Sequence, residues 1–170
     1  VIDRNLFERY GDVQAFGYNT AAHDPANWKS LSKNNVLTIS MNNYVKAYGL
    51  YPIMMMVDLE GNPLNVNTVA ADGSKIKTSF VYSQNFSQEK WFQDAINENF
   101  LKSDTLTGTA VGEPQRNDIV AQVYKNDGYV IPFSAPVFNT SGERIGVWVN
   151  FAQMSRSEER RVGKECLRLC

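Results

Sequence analysis

The sequence predicts an α+β fold, with helices gathered on one face of a five-stranded antiparallel sheet. Three observations carry that prediction. The first is a pair of alternating runs within residues 129–152: Tyr129, Ile131, Phe133, Ala135 and Val137 recur at every second position, and Ile145, Val147, Val149 and Phe151 do so again. Between the runs, Asn139-Thr140-Ser141-Gly142 has the composition of a hairpin loop. The second is a helical stripe at the start of the chain, and the third is an aromatic helical face that begins at Trp91.

The hairpin is expected to turn its odd-numbered residues toward a core as one apolar face. Pro132, Ser134, Pro136, Gly146, Trp148 and Asn150 then form a mixed opposite face. Proline carries no N–H, so Pro132 and Pro136 predict an irregular or unpaired side to their strand. The stripe at the start is Ile2, Leu6, Tyr10, Val13 and Phe16. It is in phase from residue 2, as in a helix cut from a longer one. Pro25 suits the first turn of a second helix, in which Leu37, Met41, Tyr44 and Tyr48 are in phase and Gly49 is the C-terminal cap.

Residues 51–59 read as a strand, Glu60-Gly61-Asn62-Pro63 as a turn and residues 64–69 as a returning strand. Asp72-Gly73 makes another turn, and residues 75–84, with Phe80 and Tyr82, are irregular. Ser87 is expected to cap a helix with Glu89 in its first turn and Trp91, Phe92, Ala95, Ile96 and Phe100 on its apolar face. Residues 107–113 and 119–124 read as strands, and Asn126-Asp127-Gly128 turns the chain into the hairpin.

At 170 residues, 43% hydrophobic and 21% charged, the chain is expected to form one folded unit with a real core. A net charge of −1 offers no electrostatic reason to expect a nucleic-acid partner. No apolar run is long enough for a membrane span or a signal peptide. The run RSEERRVGKEC from Arg156 matches the translation of a common sequencing-library adapter, so residues 156–170 are read as adapter read-through, the alternative being a charged tail or a helix leading onward. Both cysteines, Cys166 and Cys170, fall within it. A cysteine-free, mildly acidic remainder suits a periplasm.

No enzyme signature emerges. The single histidine, His23, lies in a loop, and no serine sits in a nucleophile elbow. Asp58, Glu60, Asp72 and Asp127 lack the spacing of a calcium loop, and glycine-rich phosphate loops are missing, so neither metal nor cofactor is expected. Tyr82, Trp91, Phe92, Tyr124 and Tyr129 crowd around one helix, where they line a concave small-ligand pocket or simply form core. Asp118 follows the polar loop 113–117, placed either to receive an ammonium group or to cap a turn.

Four segments carry a resemblance to a known family: LFERYGDVQAFGYN at 6–19, MMMVDLEGNPLNVNT at 54–68, SQEKWFQDAI at 87–96 and FSAPVFNTSGERIGVWVNFA at 133–152. In order and spacing they resemble the bacterial extracellular Cache sensor domains, which are PAS-like, of methyl-accepting chemotaxis proteins. The resemblance covers nearly all of residues 1–152. It implies a PAS-like sensing core at 51–152 and an N-terminal helical extension at 1–50, on the dimer and membrane-proximal side.

It further implies a non-catalytic periplasmic or extracellular module of an inner-membrane receptor, a homodimer along its first helix, with both membrane spans outside this chain. The cytoplasmic output is a chemotaxis signalling domain or, alternatively, a histidine kinase or diguanylate cyclase. A small α+β enzyme and a structural dimerisation module are the competing readings. Cache sensors for amino acids place an arginine two residues before the tryptophan and a tyrosine just after it. Glu89 and Phe92 stand there in this chain, so the carboxylate clamp lacks its arginine. Lys90 substitutes as a point charge, or Glu89 favours a cationic ligand such as an amine. The implied ligand-binding set is Tyr82, Glu89, Lys90, Trp91, Phe92, Asp118, Tyr124 and Tyr129, for an organic acid, amine or amino-acid-like small molecule. Met54 and Met56 share a strand face and line the pocket unless they pack under the helices.

Overall fold

The computed structural model describes residues 4–153; Ile2 and the run 156–170 lie outside the described residues. Helix α1 (Arg4–Gly17) buries Leu6, Tyr10, Val13 and Phe16, the stripe that its spacing predicts. Pro25 opens only a 3-10 turn, Pro25–Asn27, and the second helix starts later than expected. Its cap is Asn35, whose side chain accepts from the N–H groups of Leu37 and Thr38. Helix α2 (Val36–Tyr48) then runs to Gly49, which takes φ 72° and donates its N–H to the Val45 carbonyl.

The sheet is antiparallel throughout. Its strands are β1 (Ile53–Val57), β2 (Pro63–Val66), β3 (Ala110–Val111), β4 (Gln115–Arg116), β5 (Tyr129–Phe138) and β6 (Arg144–Gln153). Five of them form the path β2-β1-β6-β5-β3, and the two-residue β4 pairs with the far end of β5. The outer side of β5 is therefore covered by two fragments. β3 pairs with Phe133 and Ser134, β4 with Tyr129 and Val130, and Pro132 stands between them. That interruption is what a missing N–H imposes.

The odd-numbered residues of the hairpin do not share a face. Phe138 lies opposite Arg144 at the turn, but an irregularity between Val137 and Phe138 skips Ile145 and sets Val137 opposite Gly146. One extra residue reverses the parity of everything beyond it. Ile131, Phe133 and Ala135 consequently join Trp148 and Ala152 under α1 and α2. Val147, Val149 and Phe151 join Val130, Ile53, Met55 and Val57 on the opposite face.

The helices are not gathered on one face either. The second face is roofed by a 3-10 turn (Ser79–Ser83), α3 (Lys90–Ile96) and α4 (Asp118–Tyr124). Residues 119–124 thus form a helix instead of a strand. Asn117 caps it by accepting from Val120 N–H at 3.0 Å, and Ile119, Val120, Val123 and Tyr124 give it a helical stripe. Six residues, five of them apolar, are too few for period alone to separate the two states. Ser87 is not the cap of α3: that position is Glu89, without a side-chain bond, while Ser87 Oγ donates to Asn85 Oδ1 at 2.6 Å. Phe100 lies beyond the helix.

The β1–β2 turn pins the segment that leads into α3. Phe86 N–H donates to Gly61 O at 2.8 Å, and Asn85 Nδ2 donates to Glu60 O at 3.0 Å. Gly61 has φ 83°, and a Cβ there would meet Ser87 N at 2.5 Å. Gly49 has similar φ with open space around it. Gly49→Ala is expected to cost about 1 kcal/mol, the conformational penalty alone, and Gly61→Ala about 2 kcal/mol or more because the backbone must also move. Urea unfolding of both variants checks this; equal losses would show that the contact with Ser87 is slack.

Candidate ligand-binding site

On the α3–α4 side the sheet is incompletely covered. Between the first turns of the two helices, strand β4 and the β5–β6 floor lies a cavity of about 140 Å³. Its apolar walls are Phe86, Trp91, Ile119, Val130 and Phe151, and its rim is Gln84, Glu89, Gln115, Arg116, Asn117 and Asp118. The aromatic walls brace one another. The Trp91 ring lies 5.8 Å from Phe86 and 6.0 Å from Phe151, the latter edge-on at 87°.

Two polar anchors hold α3 in position. The buried Ser134 hydroxyl donates to Trp91 O at 2.7 Å, fixing the helix to β5. At its other end, Arg144 Nη1 donates to Ile96 O at 2.8 Å, and its Nη2 lies 3.2 Å from Glu98. On the rim, Arg116 Nε is 3.4 Å from Asp118 Oδ1 and its Nη1 donates to Asp127 O at 3.4 Å. Among the described residues Glu89 has no ion-pair partner.

Glu89, Trp91 and Asp118 line this cavity, and the other five residues of the expected set do not. Phe92 is buried behind Trp91, 6.2 Å away and edge-on. Tyr82 and Tyr124 pack at the border of the same apolar layer. Burial raises the Tyr82 phenol. Tyr124 Oη donates to Pro52 O at 2.7 Å, and burial, helped by the charge of Asp72, pushes its pKa up to about 12. Lys90 turns away to pair with Asp94 at 2.6 Å. Tyr129 sits opposite Arg116 in the β4–β5 pair. Met54 and Met56 pack under α1 and α2, away from the cavity. Asp118 is the first residue of a helix and does not lead into a strand, and its side chain is 96% exposed.

Gln84, Phe86, Gln115, Arg116 and Asn117 are rim and wall residues that sequence reasoning did not single out. The loop 113–117 was visible as polar, but only the Asn117 cap and the β4 pairing turn Arg116 toward Asp118. The cavity can bind and orient a small solute. Its volume equals about five waters' share of liquid, enough for a small solute. No serine, threonine, cysteine, histidine, lysine or tyrosine stands among its lining residues, and its carboxylates are Glu89 and Asp118. His23 lies elsewhere, with Nε2–H donating to Gly17 O at 3.0 Å.

No protein-family model matches the sequence, and no curated protein matches it. Solved structures do match in fold. The ligand-binding domain of the Campylobacter jejuni chemoreceptor Tlp3, in complex with L-valine, aligns with TM-score 0.61 and 12% identity over 99% of this chain and 56% of its own. The sensor domain of the Vibrio cholerae histidine kinase DctB gives 0.55 and 13% identity over 89% of this chain and 50% of its own. The ligand-binding domain of the Pseudomonas fluorescens chemoreceptor CtaA, in complex with L-serine, gives 0.52 and 12% identity over 87% and 51%. The chain therefore spans about half the length of the sensor domains whose α+β fold it shares.

Tyr124 gives the fold an alkaline signature. The folded state holds the phenolic proton up to about pH 12, whereas the unfolded chain releases it near the ordinary 10.0. The stabilisation is therefore complete below pH 10.0 and is lost as pH rises toward about 12. Tyr124→Phe is expected to cost about 1 kcal/mol at neutral pH through the lost bond to Pro52, and to flatten the alkaline decline. Urea midpoints across that range check it; an undiminished slope in the variant would contradict the assignment.

Proposed function

We propose that this chain is the ligand-sensing domain of a membrane receptor, facing the periplasm or cell exterior, and that its first-choice parent is a methyl-accepting chemotaxis protein. The observation that carries this reading is the cavity itself, with aromatic walls behind a charged rim. The shared fold supports it, but the site is what argues for function. In this reading the module is non-catalytic, with residues 51–152 as the sensing core. A bound solute of organic-acid, amine or amino-acid type biases two arrangements of the domain by its differential affinity for them.

Residues 1–50 are read as the segment that pairs two copies and faces the membrane. The outer side of α1 supports this: Phe7 is 54% and Tyr18 73% exposed along an open groove that also includes Gly11 and Ala15. The helix is also tied to the chain that leaves α3. Tyr10 Oη donates to Leu101 O at 2.6 Å, Gln14 Nε2 to Thr107 O at 3.0 Å and Thr109 Oγ1 to Tyr10 O at 2.7 Å. A displacement of α3 therefore has a mechanical route to α1. The same sensor serves a histidine kinase or diguanylate cyclase equally well, as the fold shared with the DctB sensor domain illustrates.

Thermal-shift screening of the chain against organic acids, amino acids and amines tests the reading. One class is expected to stabilise the fold, by about 2.7 kcal/mol at a hundredfold excess over Kd. Trp91→Ala is expected to abolish that binding; affinity unchanged in the folded variant would contradict the site, and turnover of the ligand would revive the enzyme reading. In sedimentation equilibrium, Phe7→Glu with Tyr18→Glu should shift the chain toward monomer, while a wild-type chain that stays monomeric at high concentration would contradict pairing through α1.

A further inference from the structure

The charges on the cavity rim do not balance. Glu89, Asp118 and Arg116 are its charged members, and Arg116 is already turned to Asp118 at 3.4 Å and to Asp127 O at 3.4 Å. With side chains 62% and 96% exposed, that ion pair is well solvated, but it still occupies the rim's single cation. Lys90, the neighbouring ammonium, faces outward to Asp94 at 2.6 Å. The Glu89 carboxylate is left at the entrance with no cationic partner among the described residues.

The walls behind this uncompensated carboxylate are aromatic. Phe86 and Phe151 each stand about 6 Å from the Trp91 ring by centroid. Aromatic faces attract ammonium groups, and apolar walls take an alkyl chain. A carboxylate entering the same space meets Glu89 and Asp118, and must draw Arg116 away from its partner.

The geometry points to a small organic cation as the ligand: a primary or methylated alkylamine of about five non-hydrogen atoms, given the volume's equivalence to about five waters. Its ammonium pairs with Glu89 and its chain lies against Trp91. An amino acid is held through its ammonium, and its carboxylate adds little. This inference rests on the sensing-site reading above.

Two matched series test it by calorimetry on the full chain: ethylamine, L-alanine and propanoate, then butylamine, L-norvaline and pentanoate. Each series keeps the alkyl group and varies only the charged ends. The amines are expected to bind at least about tenfold more tightly than the matched carboxylates. Glu89→Gln should weaken amine binding by about tenfold or more without altering the melting temperature of the free protein, because Glu89 is exposed. Asp118→Asn should release Arg116 and raise carboxylate affinity. Tighter binding of the carboxylates, unaltered amine affinity in Glu89→Gln, or binding of none of the six overturns the inference. Carboxylate binding that depends on Trp91 would do so while leaving the sensing site standing; binding indifferent to Trp91→Ala would remove the site itself.

Discussion

Strands β1 and β6 are closed to water on both faces, over all of Ile53–Val57 and from residue 146 to 152. A sheet buried on two sides must be roofed twice, and alternate side chains of one strand then belong to different cores. Met54, Met56 and Trp148 serve the α1–α2 layer, while Met55, Val57, Val147 and Phe151 serve the α3–α4 layer. The two roofs are unequal. Helices of 14 and 13 residues cover the first face, and two helices of seven residues cover the second. At 1.5 Å per residue, a seven-residue helix reaches only about 10 Å, and the cavity opens where the first turns of the two short helices fall short of each other. Between the long helices and the sheet, aromatic rings pack closely: Phe16 stacks on Tyr44 at 4.2 Å and leans on Trp148 at 6.0 Å.

Buried polar groups fix how these layers meet. Asn67 is fully buried and accepts from Met54 N–H while donating to Pro52 O and Val69 O, both at 3.0 Å, so the start of β1 is held to the end of β2. Tyr51 donates to Asp12, which Arg9 also contacts at 3.3 Å, and this joins α1 to the entry of β1. Burial and the Asp12 carboxylate drive the Tyr51 phenol far above its ordinary range, so it stays a donor at any physiological pH. Helix α1 is thus locked to the sheet at one point and to the segment after α3 at another.

Much of this arrangement is legible in the residues. The α1 stripe, the Gly49 cap, the Asp72-Gly73 turn and the Trp91 helix all follow from spacing and turn chemistry, because each depends on neighbours a few positions away. The hairpin faces do not. They hinge on one skipped residue, Ile145, and with both faces buried the hydrophobic pattern does not report which parity is correct. Residues 119–124 mislead for a similar reason, since their helical state is set by the Asn117 cap. The cavity was half legible. Trp91, Glu89 and Asp118 stood out by type and place, whereas Arg116, Gln84 and Phe86 arrive through β4 pairing and the Gly61 contact, long-range features with no local signature.

The proposed binding site lies on the α3–α4 face of the sheet, against Trp91, and not within the packed α1–α2 layer. Intermolecular nuclear Overhauser effects between bound butylamine and the protein measure this most directly. Contacts from the alkyl chain to the rings of Trp91, Phe86 and Phe151 are expected. Contacts to Tyr44 or Trp148 instead would place the guest on the wrong side of the sheet and contradict the proposed site.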